Sequence, residues 1–213
     1  MNSTQPKSSA QKLLEIILAS ARLIAIRAAF RMARWVGDLL VDEGFPRSMF
    51  AIKRALLAPF FANLGNNVRL CSRFELFLPE RRNISIGKNT FVGRGCAFSN
   101  WAPITIGENC LIANNVQMLT ATHNTTDFHD IAADIKVGGN CWIGAGTMLL
   151  AGVEIAPGCI VGAGSVVTRN TIADGIYAGI PARRIKDRTE AAPSAITEFP
   201  SNRETTASFK MQS

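Results

Sequence analysis

The chain has two histidines, and both fall in the segment HNTTDFHDIAAD at 123–134, together with three of the sixteen acidic residues. That inventory suits proton transfer. Near pH 7 an imidazole is largely neutral yet able to accept a proton, so a histidine held against a hydroxyl can act as a general base. His123 closes the strand-like run LTATH among small hydroxylated neighbours, and His129 follows in the same segment. Metal chemistry is the competing use. A catalytic zinc usually takes three protein ligands, and two histidines fall short of that number. The cysteines do not complete it, because Cys71, Cys96, Cys110, Cys141 and Cys159 have no metal-like spacing. Paired glycines in VGRG, IGAG and VGAG lack the third glycine and the following helix of a dinucleotide fingerprint.

A base needs a rigid frame, and the frame is written as a repeat of six. Apolar residues recur at Ile86, Val92 and Phe98, at Ile106, Ile112 and Met118, and at Val137, Ile143, Leu149, Ile155, Val161 and Val167. The next residue is small at nine of the twelve positions, as at Gly87, Gly107, Gly144 and Gly162. Four places on stand Thr90, Cys96, Ala102, Cys110, Val116, Thr122, Cys141, Thr147, Val153, Cys159, Ser165 and Thr171, all small or β-branched. Each hexad reads as a short strand and a tight turn, and about three of them close one triangular coil. Stacked coils pair their strands in parallel and turn the repeated side chains inward. The spacing therefore predicts an all-β solenoid, a parallel β-helix, and leaves its hand open. Cys96, Cys110, Cys141 and Cys159 occupy the inward slot as compact core fillers, and free thiols fit a reducing compartment.

The repeat breaks once, between Met118 and Val137, where a loop carrying both histidines must leave the coil. Loops on a rigid scaffold are where function concentrates.

Ahead of the repeat, QKLLEIILASARLIAIRAAFRMARWVGDLL has helical periodicity, with Lys12, Arg27, Arg31, Arg34 and Asp38 on one side and a stripe including Leu14, Leu18, Met32 and Leu39 on the other. The helix should stop by Gly44 to Pro46, and a second should run from Ser48 to Leu57. Glu15, Arg22, Arg27 and Arg31 interrupt every window long enough to span a bilayer. Glu15 also argues against a signal peptide ending at Ala19-Ser20-Ala21. Nine basic and four acidic residues in 1–60 account for +5 of the net charge of +7. That excess fits an acidic partner, either a membrane surface or nucleic acid; of these the expectation is a membrane surface and no nucleic acid, with capping of the open end of the solenoid as the other use of the helix. The expected organisation is a helical segment at 1–60, a repeat domain at 61–186 and a polar, disordered tail at 187–213.

ITIGENC at 104–110, TATH at 120–123, KVGGNCWIGAG at 136–146, VGAGSVVTRN at 161–170 and YAGIPARRI at 177–185 resemble the hexapeptide-repeat acyltransferases. Within them the maltose, galactoside and nodulation-factor O-acetyltransferase branch is most similar, over roughly residues 60–186. The resemblance implies a left-handed β-helix, a homotrimer, sites between neighbouring subunits, acetyl-CoA as acyl donor and no metal. In it His123 matches the general base, while His129 is read as a packed or surface histidine. Trp142 matches a residue lining the cofactor channel, and Ala145 and Ala163 match small residues beside the pantetheine arm. Thr168 and Arg169 match a pair near the nucleotide end, and Arg183 a basic residue suited to the phosphates. The acceptor side departs: where the branch carries Asn and Asp, this chain has Gly95 and Asn100, so Asn100 alone is retained as a saccharide-binding residue. The basic helix and NWAPITIG are more similar to acetyltransferases of exopolysaccharide or lipopolysaccharide assembly, which implies a cytoplasmic protein at the inner face of a membrane. Two other classes stand beside this one: a metal hydratase of the β-helical carbonic-anhydrase type, and a non-catalytic β-helical scaffold.

Overall fold

The computed structural model describes residues 9–40 and 47–188. Two helices come first, α1 (Ser9–Leu40) and α2 (Arg47–Leu57), followed by a 3-10 turn at Ala58–Phe60. Pro59 ends α2 by withholding a backbone donor. Five coils of three strands follow. They are β1 (Asn63–Leu64), β2 (Arg69–Leu70) and β3 (Glu75–Leu76); β4 (Ile84–Ile86), β5 (Phe91–Val92) and β6 (Ala97–Ser99); β7 (Ile104–Ile106), β8 (Leu111–Ile112) and β9 (Gln117–Leu119). A hairpin of β10 (Ala121–His123) and β11 (Asp130–Ala132) then leaves the coil. The fourth coil is β12 (Ile135–Val137), β13 (Trp142–Ile143) and β14 (Met148–Leu149), and the fifth is β15 (Glu154–Ile155), β16 (Ile160–Val161) and β17 (Val166–Val167). Strands β18 (Gly175–Ala178) and β19 (Arg183–Asp187) close the end.

The coils stack into three parallel sheets: sheet A in the order β1-β4-β7-β12-β15, sheet B as β2-β5-β8-β13-β16-β18-β19, and sheet C as β3-β6-β9-β14-β17. Only the β18–β19 pair, at the end of sheet B, is antiparallel within these three. All twelve apolar repeat residues point inward, none more than 2% exposed. The small residue that follows is imposed by stacking, since a Cβ at Gly87 or Gly144 would lie 2.5 Å from the backbone nitrogen of the next coil. The corner between sheets A and B is turned by Asn67, Asn89, Asn109 and Asn140 in the left-handed conformation, which asparagine tolerates. Their amides form a ladder, Asn67 Nδ2 donating to Asn89 Oδ1 and Asn89 Nδ2 to Asn109 Oδ1, each at 3.1 Å.

The four inward cysteines are buried and donate weakly to carbonyls of the next coil, Cys110 to Gly138 at 3.1 Å and Cys141 to Ala156 at 3.3 Å. Burial pushes the Cys96 thiol up to about 11, so it is inert as a nucleophile. One expectation needs correction. Thr122, counted among the inward slots, sits exposed on the hairpin, and Thr120 fills the interior in its place. Within the expected repeat domain of 61–186 the strands start one coil before Ile86, with Leu64, Leu70 and Leu76 at the same spacing of six. That coil escapes the motif because Cys71 and Phe77 replace the small residue.

Helix α1 caps the first coil, and it does so with the face expected to be polar. Phe30, 4% exposed, packs edge-on against Phe60 and Phe74 with ring centroids 5.2 and 6.1 Å apart. Arg27 binds Glu80 at 2.7 Å, and Arg34 donates to the Phe74 carbonyl at 3.2 Å. Against the partial burial of Glu80, which pulls the other way, the hydrogen bond from Arg27 holds its carboxyl below the usual range. Lys53 of α2 is fully buried and donates to Asp38 Oδ1 at 2.6 Å and to the Cys71 carbonyl at 3.0 Å. The apolar stripe is left outside: Leu14, Leu18, Met32 and Leu39 are 56 to 63% exposed. No described helix is long and apolar enough to cross a membrane. Asp187 and Arg188, placed in the tail on composition, belong to the fold, where Arg188 donates to the carbonyls of Asn140 and Gly158. The rest of the expected tail lies outside the described residues.

Candidate active site

The hairpin β10–β11 stands on the edge where sheet C turns into sheet A. Its root is fixed by Thr120, whose hydroxyl donates to the Ser99 carbonyl at 2.5 Å and whose own carbonyl accepts from Ala133 N–H at 2.9 Å. Pairing across the hairpin sets His123 opposite Asp130. Their side chains meet, His123 Nδ1 to Asp130 Oδ1 at 3.0 Å, and His123 remains 67% exposed at its side chain. A carboxylate this close to Nδ1 favours the tautomer protonated there, which leaves the lone pair on Nε2 to take a proton from an arriving hydroxyl. Sequence reasoning missed Asp130. The signal would have been its register across a tight turn, closed by Asn124 N–H to the His129 carbonyl at 2.9 Å and Phe128 N–H to the Asn124 carbonyl at 3.0 Å. His129 is exposed and pairs with Asp127 at 2.5 Å.

The other expected residues separate by edge. Thr168 and Arg169 are exposed just after β17, on the same edge as the hairpin and two coils further on. Trp142 opens β13 on sheet B, 46% exposed, in register with Leu111 and Ile160. Ala145 and Ala163 are stacked at the corner between sheets B and C, where Gly164 N–H donates to the Ala145 carbonyl at 2.8 Å. Arg183 is exposed on β19, the outermost strand of sheet B. One protomer therefore gathers His123, Thr168 and Arg169 on one edge and carries Trp142, Ala145, Ala163 and Arg183 elsewhere.

Asn100 has no capacity for an acceptor. It is 1% exposed, its Oδ1 accepts from Leu78 N–H at 2.9 Å, and its Nδ2 donates to the Leu78 carbonyl and to Asn83 Oδ1, both at 2.8 Å. Both amide hydrogens are committed to bracing neighbouring corners, so the expected saccharide contact is a structural residue. At Gly95, φ +70, a Cβ would approach Asn115 Oδ1, the end of a side chain, to 2.4 Å. Among the described residues no three His, Cys, Asp or Glu come together as a metal site.

Residues 83–118 match the family model described as hexapeptide repeat of succinyl-transferase, and residues 134–169 match bacterial transferase hexapeptide (six repeats). The chain is 31% identical over 147 residues to a Staphylococcus aureus protein described as an acetyltransferase, covering 67% of this chain and 73% of that one. The chain belongs to the hexapeptide-repeat acyltransferases.

Within that family it is 29% identical over 142 residues to galactoside O-acetyltransferase of Escherichia coli, covering 63% of this chain and 68% of that one. It is 38% identical over 110 residues to a Schizosaccharomyces pombe protein described as an acetyltransferase, but spans 49% of its own length and only 53% of that relative's. Among solved structures it is similar to a hexapeptide-repeat acetyltransferase of Vibrio cholerae in complex with acetyl-CoA, with a TM-score of 0.68, 28% identity, and coverage of 81% and 92% of the two chains. Hexapeptide repeats of this family fit a left-handed β-helix.

Outward residues of the sheets differ in kind. Above Arg69, sheet B presents Phe91, Leu111, Trp142, Ile160 and Ile176 in one column, whereas sheet A presents Asn63, Ser85, Thr105, Lys136 and Glu154. The apolar column is the wall on which Trp142 stands.

Proposed function

We propose that the protein is an acetyl-CoA-dependent O-acetyltransferase that acetylates a hydroxyl of a saccharide, with His123 as general base. The observation that carries this reading is the His123–Asp130 pair, fixed by strand register on a hairpin and open to solvent. His123 Nε2 takes the proton of the acceptor hydroxyl as its oxygen attacks the thioester carbonyl carbon. The tetrahedral intermediate collapses with cleavage of the C–S bond, and the imidazolium returns the proton to the departing thiolate. No acyl-enzyme forms. Trp142 lines the cofactor channel, Ala145 and Ala163 let the pantetheine arm lie against the backbone, and Thr168, Arg169 and Arg183 serve the nucleotide end, where guanidinium groups suit phosphate.

The site is completed by a second copy. His123 and Ala145 lie on different edges of one protomer, and the apolar column of sheet B supplies a surface for another subunit, so a homotrimer with sites between neighbours satisfies both. Acetyl-CoA as donor is supported by the bound ligand of the Vibrio cholerae relative, and a saccharide acceptor by the name of the Escherichia coli one. Free cysteines suit a cytoplasmic, reducing compartment. The test is thiol release from acetyl-CoA across nucleotide sugars, lipid-linked sugars and simple glycosides. Turnover with at least one saccharide is expected, and hydrolysis alone across the whole panel would contradict the reading.

The outward stripe of α1 is proposed to lie on an anionic membrane surface, where apolar burial binds it and each nearby basic residue adds about 1 kcal/mol. Two truncations separate this role from capping. Removal of residues 1–22, whose described side chains from 11 onward are all exposed, should leave stability unchanged while co-sedimentation with anionic vesicles is lost. Removal of 1–42 should lower the Tm, because it uncovers Phe60 and Phe74 and strips buried Lys53 of its partner Asp38. Equal melting of both truncations with the intact chain would refute the cap. Vesicle binding that survives loss of 1–42 would refute the membrane role.

A further inference from the structure

The edge that carries His123 continues below the hairpin into features that the transfer chemistry does not use. One coil down, the corner 100–103 presents Trp101, 47% exposed. The corner is bonded to the root of the hairpin, with Ala102 N–H donating to Thr120 Oγ1 and Ile135 N–H to the Pro103 carbonyl, each at 3.0 Å. A further coil down, the turn Pro79–Arg81 sets the Arg81 guanidinium 5.4 Å from the Trp101 ring centroid, where its Nη1 donates to the Trp101 carbonyl at 2.7 Å. Arg82 follows, exposed in the left-handed conformation. Next comes a groove of about 440 Å³ between α1 and the first coil, lined by Arg27, Arg31, Arg34 and Phe77. Glu80 and Glu75 are paired with Arg27 and Arg34, Arg81 adds its charge beside Glu80, and among the described residues no carboxylate forms an ion pair with Arg31, Arg81 or Arg82.

We propose that this edge is the acceptor site and that it takes a saccharide bearing a phosphate or diphosphate, with the sugar ring on Trp101 and the phosphate on Arg81, Arg82 and Arg31. The inference rests on reading the chain as a saccharide O-acetyltransferase with His123 as base. A half-exposed indole on a corner braced by Asn100 is a flat apolar surface held still, which suits the C–H face of a pyranose. Arg81 is fixed by its stacking and its carbonyl contact, so little freedom is lost when its remaining N–H groups meet an anion. Guanidinium groups on the N-terminal side of the base orient such an acceptor. Its sugar hydroxyl meets His123, and its charged end lies toward α1.

The test compares kcat/KM for hexose and N-acetylhexosamine 1-phosphates, the matching methyl glycosides, nucleoside-diphosphate sugars and polyprenyl-diphosphate sugars, using the full chain and acetyl-CoA. Phosphate-bearing acceptors should exceed glycosides by at least ~10-fold, the size of one charge-assisted hydrogen bond. Arg81→Gln should erase that ratio, and Trp101→Ala should raise KM for both classes without changing acetyl-CoA binding. Preference between the two diphosphate classes identifies the carrier. Calorimetric titration of the sugar phosphates into the CoA-bound protein gives a readout that needs no turnover. Binding that Arg81→Gln abolishes, without turnover of any sugar, would uphold the site and overturn saccharide transfer. Turnover of phosphorylated and neutral sugars at equal kcat/KM, or a ratio that survives Arg81→Gln, would overturn the site while leaving saccharide transfer intact. Neither binding nor turnover would overturn both.

Discussion

His123→Ala is expected to lower turnover at least ~10²-fold while equilibrium binding of acetyl-CoA stays nearly unchanged, because the lost group acts on the acceptor proton. His129→Ala should change turnover little, since its ring is engaged with Asp127 on an exposed turn. Asp130→Asn tests the assignment from its other side. The amide keeps the shape of the pair but presents a donor or a weaker acceptor to Nδ1, so the proportion of imidazole with Nε2 free should fall and kcat should fall with it. Comparable losses in His123→Ala and His129→Ala, or weakened acetyl-CoA binding in the first, would remove His123 from its role.

Ala145→Trp is the second substitution with a large expected effect. Ala145 is exposed at the corner between sheets B and C, so a large side chain there should leave the coil intact and the Tm unchanged. It would stand where the pantetheine arm is proposed to run. Acetyl-CoA binding and kcat/KM should both drop by at least ~10²-fold, the opposite signature to His123→Ala, which spares binding. Normal affinity for CoA in Ala145→Trp would take the channel away from this corner.

The solenoid was legible because a triangular prism leaves one inward apolar position every six residues, and the chain keeps to that in three runs between Ile86 and Val167. The first coil was hidden by Cys71 and Phe77, which break the pattern of a small residue after the inward one. The loop and its histidine were legible as a break in period, but the partner of His123 was not. Asp130 is defined by pairing across a turn within twelve residues that have no periodicity of their own. Asn100 misled because its chemistry suits a sugar hydroxyl equally well, and its commitment to Leu78 and Asn83 depends on contacts 22 and 17 residues away. Helix α1 misled in a similar way. Its apolar stripe is the strongest periodic feature, yet docking is decided by Phe30 on the other face, with Arg27 and Arg34 reaching carboxylates brought in by the first coil.

The most direct measurement mixes the two inactive proteins. His123→Ala and Ala145→Trp subunits, co-assembled in equal amounts and verified as mixed trimers by native mass spectrometry, should recover about a quarter of wild-type activity, because random assortment places an intact His123 edge against an intact Ala145 corner at about one interface in four. Mixed trimers without activity would contradict a site built between neighbours and would return His123 and the cofactor channel to a single protomer.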